Sequence, residues 1–525
     1  MSTPTVIEPV VQEPKQALEP SFLQSVIKQY TGLSKDILIY GFSSSLGQLA
    51  NLISVTITTR MLSVEQFGSI YIIYATINYF SLLMSFQVGA GLWRHYYEVS
   101  DQEVRERQRM VSSLLWFILG VGVPIALVIS TFGRELSIRL FGSPDNTVAI
   151  QVAVLGLPVL SIYNLFLGLQ RLKRRPLTYL SISLGYSLIY LTLVAVFVGR
   201  LNIGVQGIFM AQLIAYGCGA LAAFWLGREL VALTFSKYWF SKMAAYGLPM
   251  LPGAILTWSL VAINRYYLNA YVGAEEVGYY SLAANIALAM ALVVTSFTLA
   301  WQPFMYANLK NPNSARLYSL TLNYYALITL LIGAGLAIFA RELVLIVGTP
   351  AYLPSVGLVS ILVMRQILTE ADMITGVGII ITKKTILTSV ALAVGVVINL
   401  LGNAVLVPRL GIYGAAFAET GGVLMAQIVI LAISKRLFPV RWDMKFVMRC
   451  TLGYLAVALI SLFIVRLPLA TGWILLLKTG LLVGYTAYLL RLIEPDERTI
   501  LVKIPAQVYA WTRRRLQTRA QADSG

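Results

Sequence analysis

The chain has 525 residues, of which 58% are hydrophobic and 12% charged, with a formal net charge of +17. A soluble domain carries roughly 25% charged residues on a polar outer surface, so this composition excludes a water-soluble globular enzyme and makes lipid the solvent for most of the chain. The basic excess does not point to nucleic acid, because the charges fall between apolar runs and not on one soluble face.

In chain order, residues 1–20 are polar and rich in Pro and Glu. They lack the apolar core of a signal peptide and read as disordered. Residues 21–32 place Phe22, Leu23, Val26, Ile27 and Tyr30 on one helical face, which suggests a short helix lying on the membrane. Apolar runs then recur, each near the ~20 residues that cross a bilayer as helix. They cover 37–58, 69–92, 111–132, 147–169, 178–198, 205–226, 244–268, 279–303, 317–340, 355–378, 386–407, 411–434, 447–465 and 471–490. The expected fold class is therefore an all-α polytopic membrane protein of about 14 transmembrane helices. A basic tail, Trp511-Thr-Arg-Arg-Arg515, closes the chain and suits anionic headgroups.

Charge fixes the orientation. An even number of spans puts both termini on one side. If that side is the cytoplasm, the inner segments, counting Arg449 at the inner end of the thirteenth span, hold 30 Lys and Arg and the outer loops 7, with Arg265, Arg365 and Lys478 inside spans. That split satisfies the positive-inside rule. The expected location is a cytoplasmic membrane with both termini cytoplasmic.

The spans repeat at an offset of about 207–210 residues. Residues 62–71 (LSVEQFGSIY) match 272–281 (VGAEEVGYYS), which aligns Glu65 with Glu275 and Gly68 with Gly278. Residues 132–136 (FGREL) match 339–343 (FAREL), and each is followed by a Gly-x-Pro turn. Residues 173–178 (KRRPLT) resemble 383–388 (KKTILT), and 200–207 (RLNIGVQG) resemble 409–414 (RLGIYG). An offset of six spans keeps membrane orientation, so the copies should be related by a pseudo-twofold along the membrane normal. The expected organisation is a tail and interfacial helix (1–35), an N-terminal lobe (36–230), a C-terminal lobe (231–437), an added helix pair (438–490) and a basic tail (491–525).

A family resemblance rests on Arg60-Met-Leu-Ser-Val-Glu-Gln-Phe-Gly68 after span 1, Tyr246-Gly-Leu-Pro249 opening span 7, Asn264-Arg265-Tyr266 closing it, and Gly273-Ala-Glu-Glu-Val-Gly278-Tyr-Tyr-Ser after it. Over roughly residues 35–490 the chain resembles the polysaccharide-export, O-antigen flippase-like branch of the multidrug/oligosaccharidyl-lipid/polysaccharide (MOP) exporter superfamily. The resemblance implies two six-helix lobes plus two extra C-terminal helices, and alternating access coupled to a proton or sodium gradient. It implies flipping of undecaprenyl-pyrophosphate-linked oligosaccharides across a bacterial cytoplasmic membrane. It also implies partners in the polymerase and export machinery of a polysaccharide pathway. One departure is Asn264, where the family often has Asp beside the Arg, so no intrahelical ion pair forms there.

Such a substrate needs cations for its phosphates and polar, aromatic surfaces for its sugars, and ionisable groups inside spans are the places to look. Arg365 is the leading candidate, either as an anion contact or as a partner in an interhelical ion pair. In a continuous helix Asp372 shares its face, while Glu370 stacks with Gln366 on another. Asp372, Glu370 and Glu419 are the ion-coupling candidates. Glu419, the repeat counterpart of Gln212, could instead pair with Arg365. Arg60 and Arg265 occupy corresponding outer ends of spans 1 and 7, either flanking the cavity mouth or snorkelling to headgroups. Arg94, beside His95, either meets the incoming pyrophosphate or anchors topology. Lys478 reads as structural or lipid-facing. Ser44, Gln48, Asn51 and Thr58 share a face of span 1. Tyr71, Tyr74, Asn78, Ser81 and Ser85 share one of span 2, and both faces read as cavity wall or helix seam. Pro249 and Pro252 disrupt span 7, as a hinge or a static kink.

Two cysteines, Cys218 and Cys450, are too few for a disulfide framework. A single histidine, His95, cannot build a His-based metal site. The sequence carries no Walker A motif and no nucleophile–base constellation, so neither an enzyme nor a cofactor is expected. Two competing readings are an ion-coupled multidrug antiporter of the same fold and a membrane-embedded glycosyltransferase or polymerase. The extra helix pair disfavours the first, and internal loops shorter than about 20 residues disfavour the second.

Overall fold

The computed structural model describes residues 35–100 and 103–493. The interfacial helix expected at 21–32 and the basic tail around Trp511 lie outside the described residues. Among those described, the regular structure is entirely helical. Lipid offers no hydrogen-bond partner to a bare peptide group, so each spanning segment must satisfy its backbone internally. Thirteen helices are long and apolar enough to cross a membrane. They are α2 (Val64–Ser85), α3 (Val104–Thr131), α4 (Thr147–Leu172), α5 (Pro176–Arg200), α6 (Val205–Leu230), α7 (Lys237–Tyr271), α8 (Ala274–Thr295), α9 (Ser314–Ile338), α10 (Pro350–Thr375), α11 (Ile386–Leu410), α12 (Ile412–Leu437), α13 (Met444–Ile464) and α14 (Thr471–Leu492). The fourteenth expected span is the helix α1 (Lys35–Met61), which is long enough at 27 residues but too rich in Ser, Gln and Asn to stand among the thirteen.

The packing repeats. In the first six helices α1 lies against α5, and α4 and α5 against α6. In the next six α7 lies against α11, and α10 and α11 against α12. The same pairings recur six helices later, as a parallel repeat requires. The helices α13 and α14 add to the second lobe through α9. Lys478 of α14 is fully buried, 2.6 Å from the Glu342 carboxylate. It is thus structural and not lipid-facing.

The lobes meet along α2 and α8. Ser63 and Gln66 form a reciprocal capping box that starts α2. A Cβ on Gly68 would lie 1.8 Å from the Ala274 carbonyl oxygen, and one on Gly278 would lie 2.3 Å from that of Val64. Only glycine lets these two backbones approach so closely. The aligned glycines of the repeat therefore face each other across the lobes.

Several spans are interrupted, among them α8 at Leu288–Ala289. At the end of α2, Phe86 and Gln87 both adopt left-handed backbone conformations, with φ of 44° and 55°, before a short helix resumes at Val88–His95. The helix α7 contains a 3₁₀ turn at Leu248–Met250, beside Pro249 and Pro252. Its first segment, Lys237–Gly247, packs on the short helix Val88–His95 and on the start of α3. The helix α10 breaks at Ala371, between Glu370 and Asp372.

Polar contacts fasten the first segment of α7 to the N-terminal lobe. Glu98 accepts from Lys242 at 2.9 Å and contacts His95 and Arg94 at the same distance. Trp239 donates to Glu106 at 2.8 Å, and the Ser236 amide donates to Ser113 at 2.7 Å. Arg94 is exposed and its charge is already shared with Glu98, so it belongs to this anchor. The Lys242 hydrogen bond, then that of His95, pulls the Glu98 carboxyl down to about 2 from an ordinary 4.5. A depressed carboxylate stabilises fully above its unfolded value and loses that contribution as pH falls toward its folded one. Amide-exchange protection of residues 237–247 should accordingly hold from pH 7 to about 5 and weaken progressively between about 4.5 and 2. Glu98→Gln should lower that protection between about pH 5 and 7 and converge with the wild type near pH 2, as read by hydrogen-exchange mass spectrometry.

Candidate functional site

Two polar centres lie side by side, one sealed within the C-terminal lobe and one open between the lobes. The sealed one centres on Glu419 of α12, which is 3% exposed. Arg365 Nε of α10 lies 2.8 Å from its Oε1. Asn264 of α7 donates to Oε2 at 2.8 Å, and the Tyr280 hydroxyl of α8 donates to the same oxygen. The network continues into α11, where Asn403 donates to the side-chain Oδ1 of Asn264 and Asn399 donates to the Leu260 backbone carbonyl. One carboxylate thus ties four helices together directly. A buried carboxylate is tolerable only with such a set of donors and a counter-charge.

Arg365 also donates to Gln366 at 2.7 Å, and Gln366 to Glu370 at 3.3 Å. Arg365 and Glu370, expected on different faces, are therefore linked through Gln366. Glu370 and Asp372 flank the break in α10, and neither has an ion-pair partner among the described residues. The break is pinned by Trp301, which donates to the Met373 carbonyl at 2.9 Å, and by Gln427, which bonds Thr375.

The open centre is a cavity of about 420 Å³ between the lobes. The N-terminal lobe contributes Asn51 from α1, Tyr71, Tyr74 and Asn78 from α2, Tyr186, Ser187 and Tyr190 from α5, and Gln212 and Tyr216 from α6. The C-terminal lobe contributes Trp258 and Arg265 from α7 and Asn285 from α8. These side chains hold one another in place. Asn285 donates to the Tyr71 hydroxyl at 2.7 Å and Asn51 donates to Asn285 at 3.2 Å. Tyr74 donates to Gln212 and Gln212 donates to the Tyr216 hydroxyl. Asn78 is back-bonded to the Tyr74 carbonyl at 2.8 Å.

Arg265 is the one charged residue in that lining. It is 8% exposed, donates to the Val261 carbonyl at 2.6 Å and stands over the Tyr71 and Tyr280 rings. Among the described residues no carboxylate forms an ion pair with it. A buried guanidinium without a counter-ion is a site for an anion.

Of the residues expected at the site, Arg265, Asn51, Tyr74 and Asn78 line this cavity. Arg365 does not, because its charge is directed at Glu419. Arg60 is exposed and bonds the Ile346 carbonyl, so it does not flank the cavity with Arg265. Arg94 sits in the α7 anchor. Gln48 is half-buried and outside the lining, which takes Gly47, Ala50 and Asn51 instead. The Thr58 hydroxyl is back-bonded within α1. Sequence reasoning missed Tyr186, Tyr190, Tyr216, Trp258, Asn285, Asn399 and Asn403. Their signal was spacing, since Tyr186/Tyr190, Gln212/Tyr216 and Asn399/Asn403 each stand four apart and stack on one helix face.

Replacing Glu419 by alanine strands Arg365 without its counter-ion. Glu419→Ala should cost about 3–5 kcal/mol, read as a lower thermal midpoint of the purified protein in detergent. Glu419→Ala combined with Arg365→Met should recover much of that loss.

Comparison with known proteins places this geometry in context. A family model described as polysaccharide biosynthesis protein matches residues 33–308, over half of the chain. The succinoglycan biosynthesis transport protein ExoT of Rhizobium meliloti (strain 1021) is 22% identical over 252 residues, 46% of this chain and 47% of that protein. The match thus spans about half the length of that curated relative. The fold is similar to that of the lipid II flippase MurJ in an inward closed conformation, with a TM-score of 0.67 at 12% identity over 86% of this chain and 99% of that one. It is also similar to an inward-facing multidrug resistance MATE family transporter of the MOP superfamily, with a TM-score of 0.61 at 17% identity over 77% of this chain and 98% of that one.

Proposed function

The chain belongs to the polysaccharide biosynthesis protein family, and from that premise we propose that it flips a lipid-linked oligosaccharide, carried on undecaprenyl pyrophosphate, from the inner to the outer leaflet of a bacterial cytoplasmic membrane. The multi-pass helical fold and relatives named as transport proteins and flippases support membrane transport in polysaccharide biosynthesis. The single observation that carries the finer reading is Arg265. A buried, uncompensated guanidinium projects into an inter-lobe cavity otherwise walled by tyrosines and amides. A drug cation would be repelled there, whereas a pyrophosphate would supply the missing counter-charge.

Each part of the substrate has a matching environment. The phosphates meet Arg265, the sugars meet neutral hydroxyls and amides, and the prenyl tail leaves sideways into lipid. Binding that favours one lobe arrangement over another would shift the access equilibrium. Glu370 and Asp372, at the break in α10, are the groups for coupling to a proton or sodium gradient, because irregular helix at membrane depth is tolerated where it binds an ion or lines a cavity. Both termini are assigned to the cytoplasm by the charge split. The machinery that polymerises and exports the glycan would receive the flipped product.

Deleting the gene should cause lipid-linked oligosaccharide to accumulate on the cytoplasmic face. In complementation, Arg265→Ala should lower glycan export by on the order of tenfold to a hundredfold, the worth of a charge-assisted contact. Arg265→Lys should retain part of the activity. Export unchanged by Arg265→Ala at normal protein levels would sink the assignment.

A further inference from the structure

The cavity is chemically one-sided. Its cation comes from α7 of the C-terminal lobe, while its opposite wall is a ladder of tyrosines from the N-terminal lobe. The Tyr186 ring lies parallel to Tyr216 at 4.9 Å between centroids, with planes 8° apart. It is also parallel to Tyr190 at 6.1 Å, with planes 2° apart. Tyr163 closes on Tyr186 from behind at 5.2 Å, which holds the ladder from its far side. Tyr74 and Gln212 complete the wall with a hydroxyl and an amide.

Hydroxyl-bearing aromatic rings in a fixed array suit the apolar faces and hydroxyl edges of sugar rings. The cavity volume, about 420 Å³, lies within the ~300–1,000 Å³ of small-molecule sites. It therefore holds the first sugars next to the diphosphate and not the whole oligosaccharide. Among the described residues, no charged side chain besides Arg265 stands in the lining. An acidic sugar on the tyrosine wall would be desolvated with no counter-charge, at a cost that a neutral sugar does not meet.

Building on the flippase reading, we infer that the Tyr186–Tyr190–Tyr216 wall is a subsite for the diphosphate-proximal sugars, and that these sugars are uncharged. The substrate then lies across the lobes, with its diphosphate on the C-terminal lobe at Arg265 and its first sugars on the N-terminal lobe. The wall sets specificity, and Arg265 sets affinity for any polyprenyl diphosphate.

Equilibrium binding to the full chain in nanodiscs tests this with three lipids: a polyprenyl diphosphate, the same lipid bearing a neutral disaccharide, and the same lipid bearing a disaccharide with a uronic acid. The neutral glycolipid should bind roughly tenfold more tightly than the bare diphosphate, equivalent to about 1.4 kcal/mol, and more tightly than the acidic one. Tyr186→Ala with Tyr216→Ala should erase that preference, with folding checked by a monodisperse elution profile and helical circular dichroism. Tyr186→Phe with Tyr216→Phe keeps the ring faces and should retain the preference. Equal binding of the bare and neutral lipids, or tighter binding of the acidic one, would overturn the subsite and leave the flippase reading standing. A Phe pair as damaging as the Ala pair would overturn stacking on the ring faces. No binding of any of the three would overturn the flippase reading and the subsite with it.

Discussion

The contact between Glu419 and Arg365 determines what the rest of the membrane interior can do. Each charge is expensive to keep in a low-dielectric interior, and each is tolerable because the other lies within 2.8 Å. Asn264 and Tyr280 use the remaining capacity of the carboxylate, which draws α7, α8, α10 and α12 onto one point. A single carboxylate balances a single cation. Arg265, one residue after Asn264 on the same helix, is left without a counter-ion and faces the cavity instead. Neighbouring side chains thus divide the work, with Asn264 closing the sealed centre and Arg265 opening the other.

The repeat makes this division visible. Gln212 on α6 and Glu419 on α12 occupy corresponding places, and each bonds a tyrosine of the second helix in its own lobe, Tyr74 and Tyr280 respectively. The backbone plan is shared and the charge is not. In the C-terminal lobe the carboxylate recruits a cation and three further helices, and the seam closes. In the N-terminal lobe the neutral amide recruits only hydroxyls, so the seam stays open and becomes the cavity wall. The asymmetry of the site follows from exchanging one amide for one acid on a symmetric scaffold.

The sequence carried the helical fold, the sixfold offset of the repeat and the cavity roles of Asn51, Tyr74 and Asn78, because each leaves a periodic trace: apolar runs of bilayer length, charge alternation, or polar groups three and four apart. The pairing of Arg365 with Glu419 was legible only as one alternative, since contacts between helices 54 residues apart leave no periodicity. Helix phasing stacked Glu370 with Gln366, which their hydrogen bond bears out, but it carried no sign of the break at Ala371, since no Pro or Gly announces it. Arg60 and Arg265 looked equivalent by position. Their environments differ because Arg60 ends its helix at the surface beside the Ile346 carbonyl, while Arg265 lies more than a turn inside α7. The tyrosines of α5 and α6 stand within apolar runs, and only three dimensions bring their rings into one stack.

The interruptions in the helices give the cavity its mechanical setting. The first segment of α7 is held to the N-terminal lobe through Glu98, Glu106 and Ser113, whereas its second segment packs on α11 and α12 of its own lobe and also meets α2, where Tyr79 donates to Ser259 and Trp258 to the Ala75 carbonyl. Between them lie the 3₁₀ turn and Pro249, which lacks the amide hydrogen that would stiffen the helix. The span therefore belongs to both lobes and is weakest where it passes from one to the other. Any rocking of the lobes turns the second segment of α7 about that point, and Arg265 turns with it. The tyrosine wall stays with the N-terminal lobe. On the proposed flippase reading, a substrate bridging the two would feel any such motion as a change in the distance between its anion contact and its ring contacts.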